Sequence, residues 1–217
     1  MDHEPARRPL KSRSANWPRQ LAFALVRRGF TPNQISVTSL IFSLVGSVCL
    51  VLAPSQSRTT ASLLFIATTI CIQLRLVCNL LDGLMAVEGG KKTKAGEIFN
   101  EFPDRIADVV LFVCAGYSIY FLPYAFQLGW ACAVAAVLTA YVRVFGGAMG
   151  LPQDFCGPMA KQQRMAVLTG ACILSAVEQL LAWPPRIMFL ALCIALAGSL
   201  ITAIRRTLRI ARLLNQR

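Results

Sequence analysis

Apolar residues run through this chain in long blocks, and polar residues collect at the breaks between them. A helix that crosses a bilayer needs about 20 mostly apolar residues. Six blocks meet that length: 34–53, 61–85, 103–123, 126–148, 165–183 and 186–204. Three breaks are short, near Pro54 to Thr60, Pro123 to Phe126 and Trp183 to Pro185. Upstream, residues 17–30 (WPRQLAFALVRRGF) place Trp17, Leu21, Ala24 and Leu25 at helical spacing among Arg19, Arg27 and Arg28, with Gly29 as a stop. That pattern predicts an amphipathic juxtamembrane helix in the membrane interface, with packing against protein as the plainer alternative. Thr31, Pro32 and Asn33 then open the first span, since Pro and Asn start helices well. The expected fold is an all-α integral membrane protein, six transmembrane helices preceded by an N-terminal amphipathic interfacial helix. The expected division is a disordered basic tail over 1–16, the amphipathic helix over 17–30, a six-helix domain over 31–206 and a basic tail over 207–217.

Composition supports the membrane reading. The chain has 217 residues, 56% of them hydrophobic, and a mean hydropathy of +0.57, too apolar for an ordinary soluble domain. The net charge is +12, yet the basic residues flank apolar runs, which argues against nucleic acid as a partner. Eighteen of the 22 Lys and Arg fall on one side of the alternating spans and only Arg58 and Arg186 on the other; Arg75 and Arg143 lie within spans. By the positive-inside rule both termini and that side are cytoplasmic. Tyr120, Tyr124, Trp130 and Trp183 fall at the opposite interface. The expected location is a bacterial-type inner membrane, crossed several times. The opening residues contain no signal-peptide apolar core. Seven of the eight cysteines lie inside apolar runs and none forms C-x-x-C, so they read as small buried side chains. His3 is the single histidine and lies in the polar tail, which leaves no histidine-based metal site or triad.

One stretch breaks the pattern. Six of the ten acidic residues fall between Asn79 and Asp108: Asp82, Glu88, Glu97, Glu101, Asp104 and Asp108. Asn79 and Asp82 are three apart; Glu97 and Glu101, Asn100 and Asp104, and Asp104 and Asp108 are four apart. Residues at that spacing share a helix face. Two helix ends thus carry polar stripes, joined by a loop with Gly89, Gly90, Lys91, Lys92 and Lys94. Converging hard oxygen ligands suit Mg²⁺ or Mn²⁺ rather than zinc.

This stretch resembles the signature of the CDP-alcohol phosphotransferases, D-x-x-D-G-x-x-A-R, eight or nine residues, then G-x-x-x-D-x-x-x-D. The same frame here carries Asn79, Asp82, Gly83, Ala86 and Val87, then Gly96, Asn100 and Asp104. Spacing is kept throughout; Asn79, Val87 and Asn100 depart in identity. The Thr31-Pro32-Asn33-Gln34-Ile35-Ser36 segment is also similar to that family's lead into its first span. The resemblance implies transfer of a phosphatidyl group from a CDP-linked donor, CDP-diacylglycerol or another CDP-alcohol, to a small polar alcohol, with release of CMP, in phospholipid synthesis. It implies a metal-dependent enzyme with Mg²⁺ or Mn²⁺, two ions in all, and a homodimer. Asn79, Asp82, Asn100, Glu101 and Asp104 are the candidate metal ligands. Glu101 and Asp108, beside the frame, restore the formal charge of −4 that Asn79 and Asn100 remove. Asp104 takes the general-base role by strict correspondence; a shift of the set by one turn gives that role to Asp108.

The candidate substrate-binding residues are Gly83, Ala86 and Gly96 of the frame with Arg75, Arg143, Lys161 and Arg164. An intramembrane arginine is costly and faces a polar cavity or a partner. Arg75 and Arg143 therefore either pair with carboxylates or grip phosphate oxygens, for which the guanidinium fork is suited. Two other function classes stand beside the enzyme: a CDP-lipid-binding or regulatory protein that has lost catalysis through Asn79, Asn100 and Val87, and a transporter lined by Arg75 and Arg143. Gly146, Gly147 and Gly150 read as a small-residue packing patch.

Overall fold

The computed structural model describes residues 16–87 and 96–216. The expected disordered tail, His3, Glu88 and the loop lysines Lys91, Lys92 and Lys94 lie outside those residues, as does the side chain of Glu97. Among these residues seven α-helices follow one another: α1 (Asn16–Arg27), α2 (Pro32–Leu52), α3 (Arg58–Val87), α4 (Gly96–Tyr117), α5 (Ala125–Ala148), α6 (Lys161–Leu181) and α7 (Ile187–Asn215). No strand occurs among the described residues.

Among the described residues, five helices are long and apolar enough to cross a membrane, namely α2, α3, α5, α6 and α7. The sixth expected span is α4, set apart by composition: Glu101, Asp104, Arg105 and Asp108 crowd its first half. Residues 207–215, expected as part of a tail, continue α7 as helix.

Local sequence sets the helix ends. Thr31 caps α2 in a capping box: its hydroxyl accepts from Gln34 N (3.3 Å), and the Gln34 side chain accepts from Thr31 N (2.9 Å). This satisfies two backbone donors at once, with Pro32 needing none. After α2, Ala53–Ser55 form one 3₁₀ turn. Helix α3 has 30 residues, about 45 Å at 1.5 Å per residue, against about 30 Å of hydrocarbon. Its last two turns, with Asn79 and Asp82, therefore reach one rim of the bundle. Pro103 lies inside α4 and cannot donate to the Phe99 carbonyl one turn back, next to the acidic stripe.

The bundle is apolar outside, and its apolar interior also buries stripes of small polar residues. Ser36, Ser39, Ser43 and Ser47 form a buried stripe on α2, while Ile41, Leu44 and Val48 face outward. Leu63 and Ile70 on α3, Val134 and Leu138 on α5, and Ile194 and Ile204 on α7 are likewise exposed. An apolar coat of this extent suits lipid contact. The main core gathers Leu50, Phe65, Ile72, Leu111, Phe112, Met165, Leu168 and Leu192. A smaller one packs Ala22 of α1 with Ile35, Leu81, Leu84 and Met85.

Helices meet closely where side chains are smallest. A Cβ at Gly116 would lie 2.7 Å from Ala125 O, and one at Gly129 2.8 Å from Phe112 O, so α4 and α5 touch backbone to backbone. Gly146, from the expected packing patch, faces Ile210 of α7, where a Cβ would sit 2.8 Å from Cδ1. Gly157, between α5 and α6, has φ +118°, and a Cβ there would meet Thr202 at 2.5 Å; only glycine fits that place.

Candidate active site

At the rim reached by the end of α3, side chains from α3, α4, α5, α6 and α7 converge on a cavity of about 520 Å³. Asn79, Asn100, Glu101 and Asp104 line it beside Arg105, Arg143, Lys161, Arg164 and Arg206. Trp17 of α1 lies at its edge. The volume is in the range of a small-molecule site.

The acidic residues form two tiers. In the upper one, Asp104 Oδ1 accepts from Asn79 Nδ2 (3.0 Å), and Oδ2 accepts from the Lys161 ammonium. Asp82 is buried nearby. Its Oδ2 accepts from Ser36 Oγ at 2.6 Å, while its Oδ1 is buried without a hydrogen-bond partner. An unpaired buried carboxylate oxygen is costly, and a bound cation relieves that cost. In the lower tier Asp108 is 1% exposed. Arg75 Nη2 donates to its Oδ1 (2.7 Å) and Arg164 Nη2 to its Oδ2 (2.9 Å). Arg75 also donates to Asp104 O (3.3 Å) and Met165 Sδ (2.8 Å), and Arg164 to Thr139 Oγ1 (2.8 Å) and Met159 O (3.1 Å).

The remaining residues expected at the site lie around these tiers. Glu101 turns toward α5, where Arg143 Nη2 reaches both its carboxylate oxygens at 2.6 Å. Arg143 Nη1 donates to Gln153 Oε1 (2.9 Å), and its guanidinium lies 5.4 Å from the Phe155 ring centroid. Asn100 is exposed on the first turns of α4, which begins at Gly96. Gly83 and Ala86 lie in the last turns of α3, and Val87, where the signature has arginine, ends that helix. Among the described residues no three Asp, Glu, His or Cys side chains come together as a metal cluster. Asp82 keeps one carboxylate oxygen without a partner among the described residues, and Asp104 carries Asn79 and Lys161 on its two oxygens.

Four participants had weak sequence signals. Ser36 holds Asp82; its only sign was its place at the end of the Thr31–Ser36 segment. Arg206 belongs to the basic run after the last apolar block, yet it is buried and donates to Cys156 O (2.9 Å) and Thr139 O (2.8 Å). Phe155 and Gln153 sit in the irregular segment between α5 and α6. In that segment burial pushes the Asp154 carboxyl up, but the Cys156 thiol and backbone N–H, with Arg209 and Arg206, more than offset it and hold it below the usual carboxylate range.

No family model matches the chain. Individual relatives do. The inner membrane protein YnbA of Escherichia coli is 27% identical over 150 residues, 69% of this chain and 70% of that protein. Phosphatidylinositol phosphate synthase of Streptomyces avermitilis is 24% identical over 194 residues, 87% of this chain and 75% of that protein. The enzyme of the same name from Mycobacteroides abscessus is 27% identical over 196 residues, 86% of this chain and 80% of that protein. The crystal structure of Mycobacterium tuberculosis phosphatidylinositol phosphate synthase with CDP-DAG bound has the same fold. It matches with a TM-score of 0.74 over 90% of this chain and 94% of that one, at 22% identity. The chain thus shares the fold of these phosphatidylinositol phosphate synthases and is similar to them in sequence along most of its length. A second structure of the Mycobacterium tuberculosis enzyme, in complex with manganese and citrate, matches with a TM-score of 0.72 over 89% of this chain and 88% of that one, at 22% identity. Set against the CDP-alcohol phosphotransferase signature, this chain keeps the spacing and changes three of the identities.

Proposed function

We propose that the protein transfers a phosphatidyl group from CDP-diacylglycerol to the hydroxyl of a small polar alcohol, with CMP as the leaving group. The observation that carries this reading is the buried Asp82 oxygen without a partner among the described residues, within electrostatic reach of Asp104, which lines the cavity. Asp82 and Asp104, with the amide oxygens of Asn79 and Asn100, hold a divalent Mg²⁺ or Mn²⁺. The two carboxylates balance one dication; among the described residues Glu101 and Asp108 are spent on arginines. When bound, the ion neutralises pyrophosphate charge and polarises the phosphorus that is attacked.

The chain's own groups do the rest. The acceptor hydroxyl oxygen bonds to the phosphorus that carries diacylglycerol, and the bond from that phosphorus to the bridging oxygen breaks. CMP leaves with that oxygen. Asp104, at the cavity wall and held by Lys161 and Asn79, takes the hydroxyl proton. Asp108 does not serve as the base, because it is 1% exposed and, unlike Asp104, does not line the cavity. It is a positioning residue that keeps Arg75 and Arg164 in place. Lys161 and Arg105 face the donor phosphates, and Gly83, Ala86 and Gly96 leave room for the nucleotide.

In this reading α4 is the sixth span, α1 lies along the membrane surface with Trp17 over the cavity mouth, and residues 31–206 form the catalytic domain. Both termini and the site face the cytoplasm across an inner membrane, in keeping with the excess of Lys and Arg on that side. The assembly is the homodimer that the family resemblance implies. The regulatory alternative draws on the shortage of free carboxylates and on Val87, and it predicts binding of CDP-diacylglycerol without turnover.

Both are tested by CMP release from CDP-diacylglycerol by the detergent-solubilised protein with a panel of alcohols and Mg²⁺ or Mn²⁺. Release that stops with EDTA is expected. Saturable donor binding with no release under any condition would replace the enzyme with the regulator.

A further inference from the structure

We infer that the acceptor is an uncharged polar alcohol rather than a phosphorylated one, and that Glu101 sets this preference. The inference rests on the phosphatidyl transfer proposed above and concerns its second substrate.

An acceptor that carries its own phosphate brings about two negative charges into the cavity. It needs a guanidinium or ammonium free to receive it. Of the cations that line the described cavity, Lys161 and Arg105 are already assigned to the donor phosphates, and the others are engaged in the fold. Lys161 is on Asp104 and Arg164 on Asp108. Arg105 lies between Glu101 (3.6 Å) and Asp104 (3.7 Å). Arg206 spends Nε and Nη1 on backbone carbonyls and is 3% exposed. Arg143, the cation on the wall away from Asp82 and Lys161, is held on three sides by Glu101, Gln153 and Phe155.

Glu101 does more than consume Arg143. Its side chain keeps 37% exposure, so the carboxylate also presents negative charge to the cavity. Like charges set against each other in a binding site exclude the wrong partner. A sugar alcohol or glycerol meets no such barrier, because carboxylate oxygens accept hydrogen bonds from hydroxyl groups. The pair Arg143–Glu101 thus turns a site that could grip phosphate into one that prefers hydroxyls.

The test is CMP release from CDP-diacylglycerol by the full-length protein with matched acceptors: glycerol against glycerol 3-phosphate, and inositol against inositol phosphate. The wild type is expected to use the plain alcohol with a kcat/KM at least about tenfold above its phosphorylated partner. Glu101→Gln keeps the size and removes the charge; it should move that ratio about tenfold toward the phosphorylated acceptor, mainly through KM. The double variant Glu101→Gln/Arg143→Gln should lose that gain. If Glu101→Gln fails to fold, Glu101→Asp, which draws the carboxylate back from Arg143, should shift the ratio in the same direction. Equal or better use of the phosphorylated acceptor by the wild type overturns the inference, even where phosphatidyl transfer stands. An unchanged ratio in the Glu101 variants removes Glu101 from the account. No CMP release with any alcohol overturns phosphatidyl transfer and this inference with it.

Discussion

Asp82 and Asp108 are both buried aspartates in the same polar rim, and their surroundings are opposite. Asp108 has both oxygens held by guanidinium groups, from Arg75 at 2.7 Å and Arg164 at 2.9 Å. Asp82 has one oxygen on Ser36 and the other without a partner among the described residues. The first is a closed ion-pair network that ties α3, α4 and α6 together. The second is a buried carboxylate left half-satisfied, which the proposed function assigns to a cation. A buried charge left incomplete is expensive to keep, so the open carboxylate marks where the chain binds and the closed one where it is braced. Spacing along one helix does not separate these cases, because the difference lies in what faces each acid from other helices.

That contrast can be broken from either side. Asp82→Asn or Asp104→Asn should lower CMP release by about 10²- to 10⁴-fold while thermal unfolding in detergent changes little. Asp108→Asn should act the other way round: a loss of about 3–5 kcal/mol of stability, because Arg75 and Arg164 stay buried without their anion. Its CMP release per folded molecule should fall less than in Asp82→Asn. A stable, inactive Asp108→Asn would reverse the assignment of the base.

Smaller changes sharpen the picture away from the rim. Gly129→Ala places a methyl group against Phe112 O and Gly116, and overpacking of this kind costs about 1–3 kcal/mol; the thermal midpoint should fall with the metal requirement unchanged. Thr31→Ala removes one half of the capping box and should cost about 1 kcal/mol, readable as a small drop in the same midpoint.

Much of this was legible in the sequence for plain physical reasons. Apolar blocks of span length, broken by Pro54, Pro123 and Pro184, place α2, α3, α5 and α6 within a few residues of their positions. The Thr31–Gln34 pattern carries its own cap. Asp82, Gly83, Gly96 and Asp104 stand out because their spacing is local to two helix ends, where periodicity speaks directly. What stayed hidden depends on partners far along the chain. Arg75 and Arg143 were each readable as a phosphate grip or an ion-pair partner, and they pair with Asp108 and Glu101, 33 and 42 residues away. Glu178, late in α6, accepts from the backbone N–H groups of Arg186 and Ile187 at 2.9 and 3.0 Å and so caps the start of α7. Arg206 read as one more positive charge on the cytoplasmic side, although α7 carries it back into the cavity wall.

The central claim is that the open oxygen of Asp82 belongs to a metal. Titration of Mn²⁺ into the solubilised protein, followed by its electron paramagnetic resonance signal, tests this without any turnover. The wild type should bind the ion, and Asp82→Asn should weaken that binding by at least about tenfold, on the scale seen when the shell of a metal site is disturbed. Equal Mn²⁺ affinity in wild type and Asp82→Asn would contradict the account and leave the unpaired oxygen of Asp82 without a function.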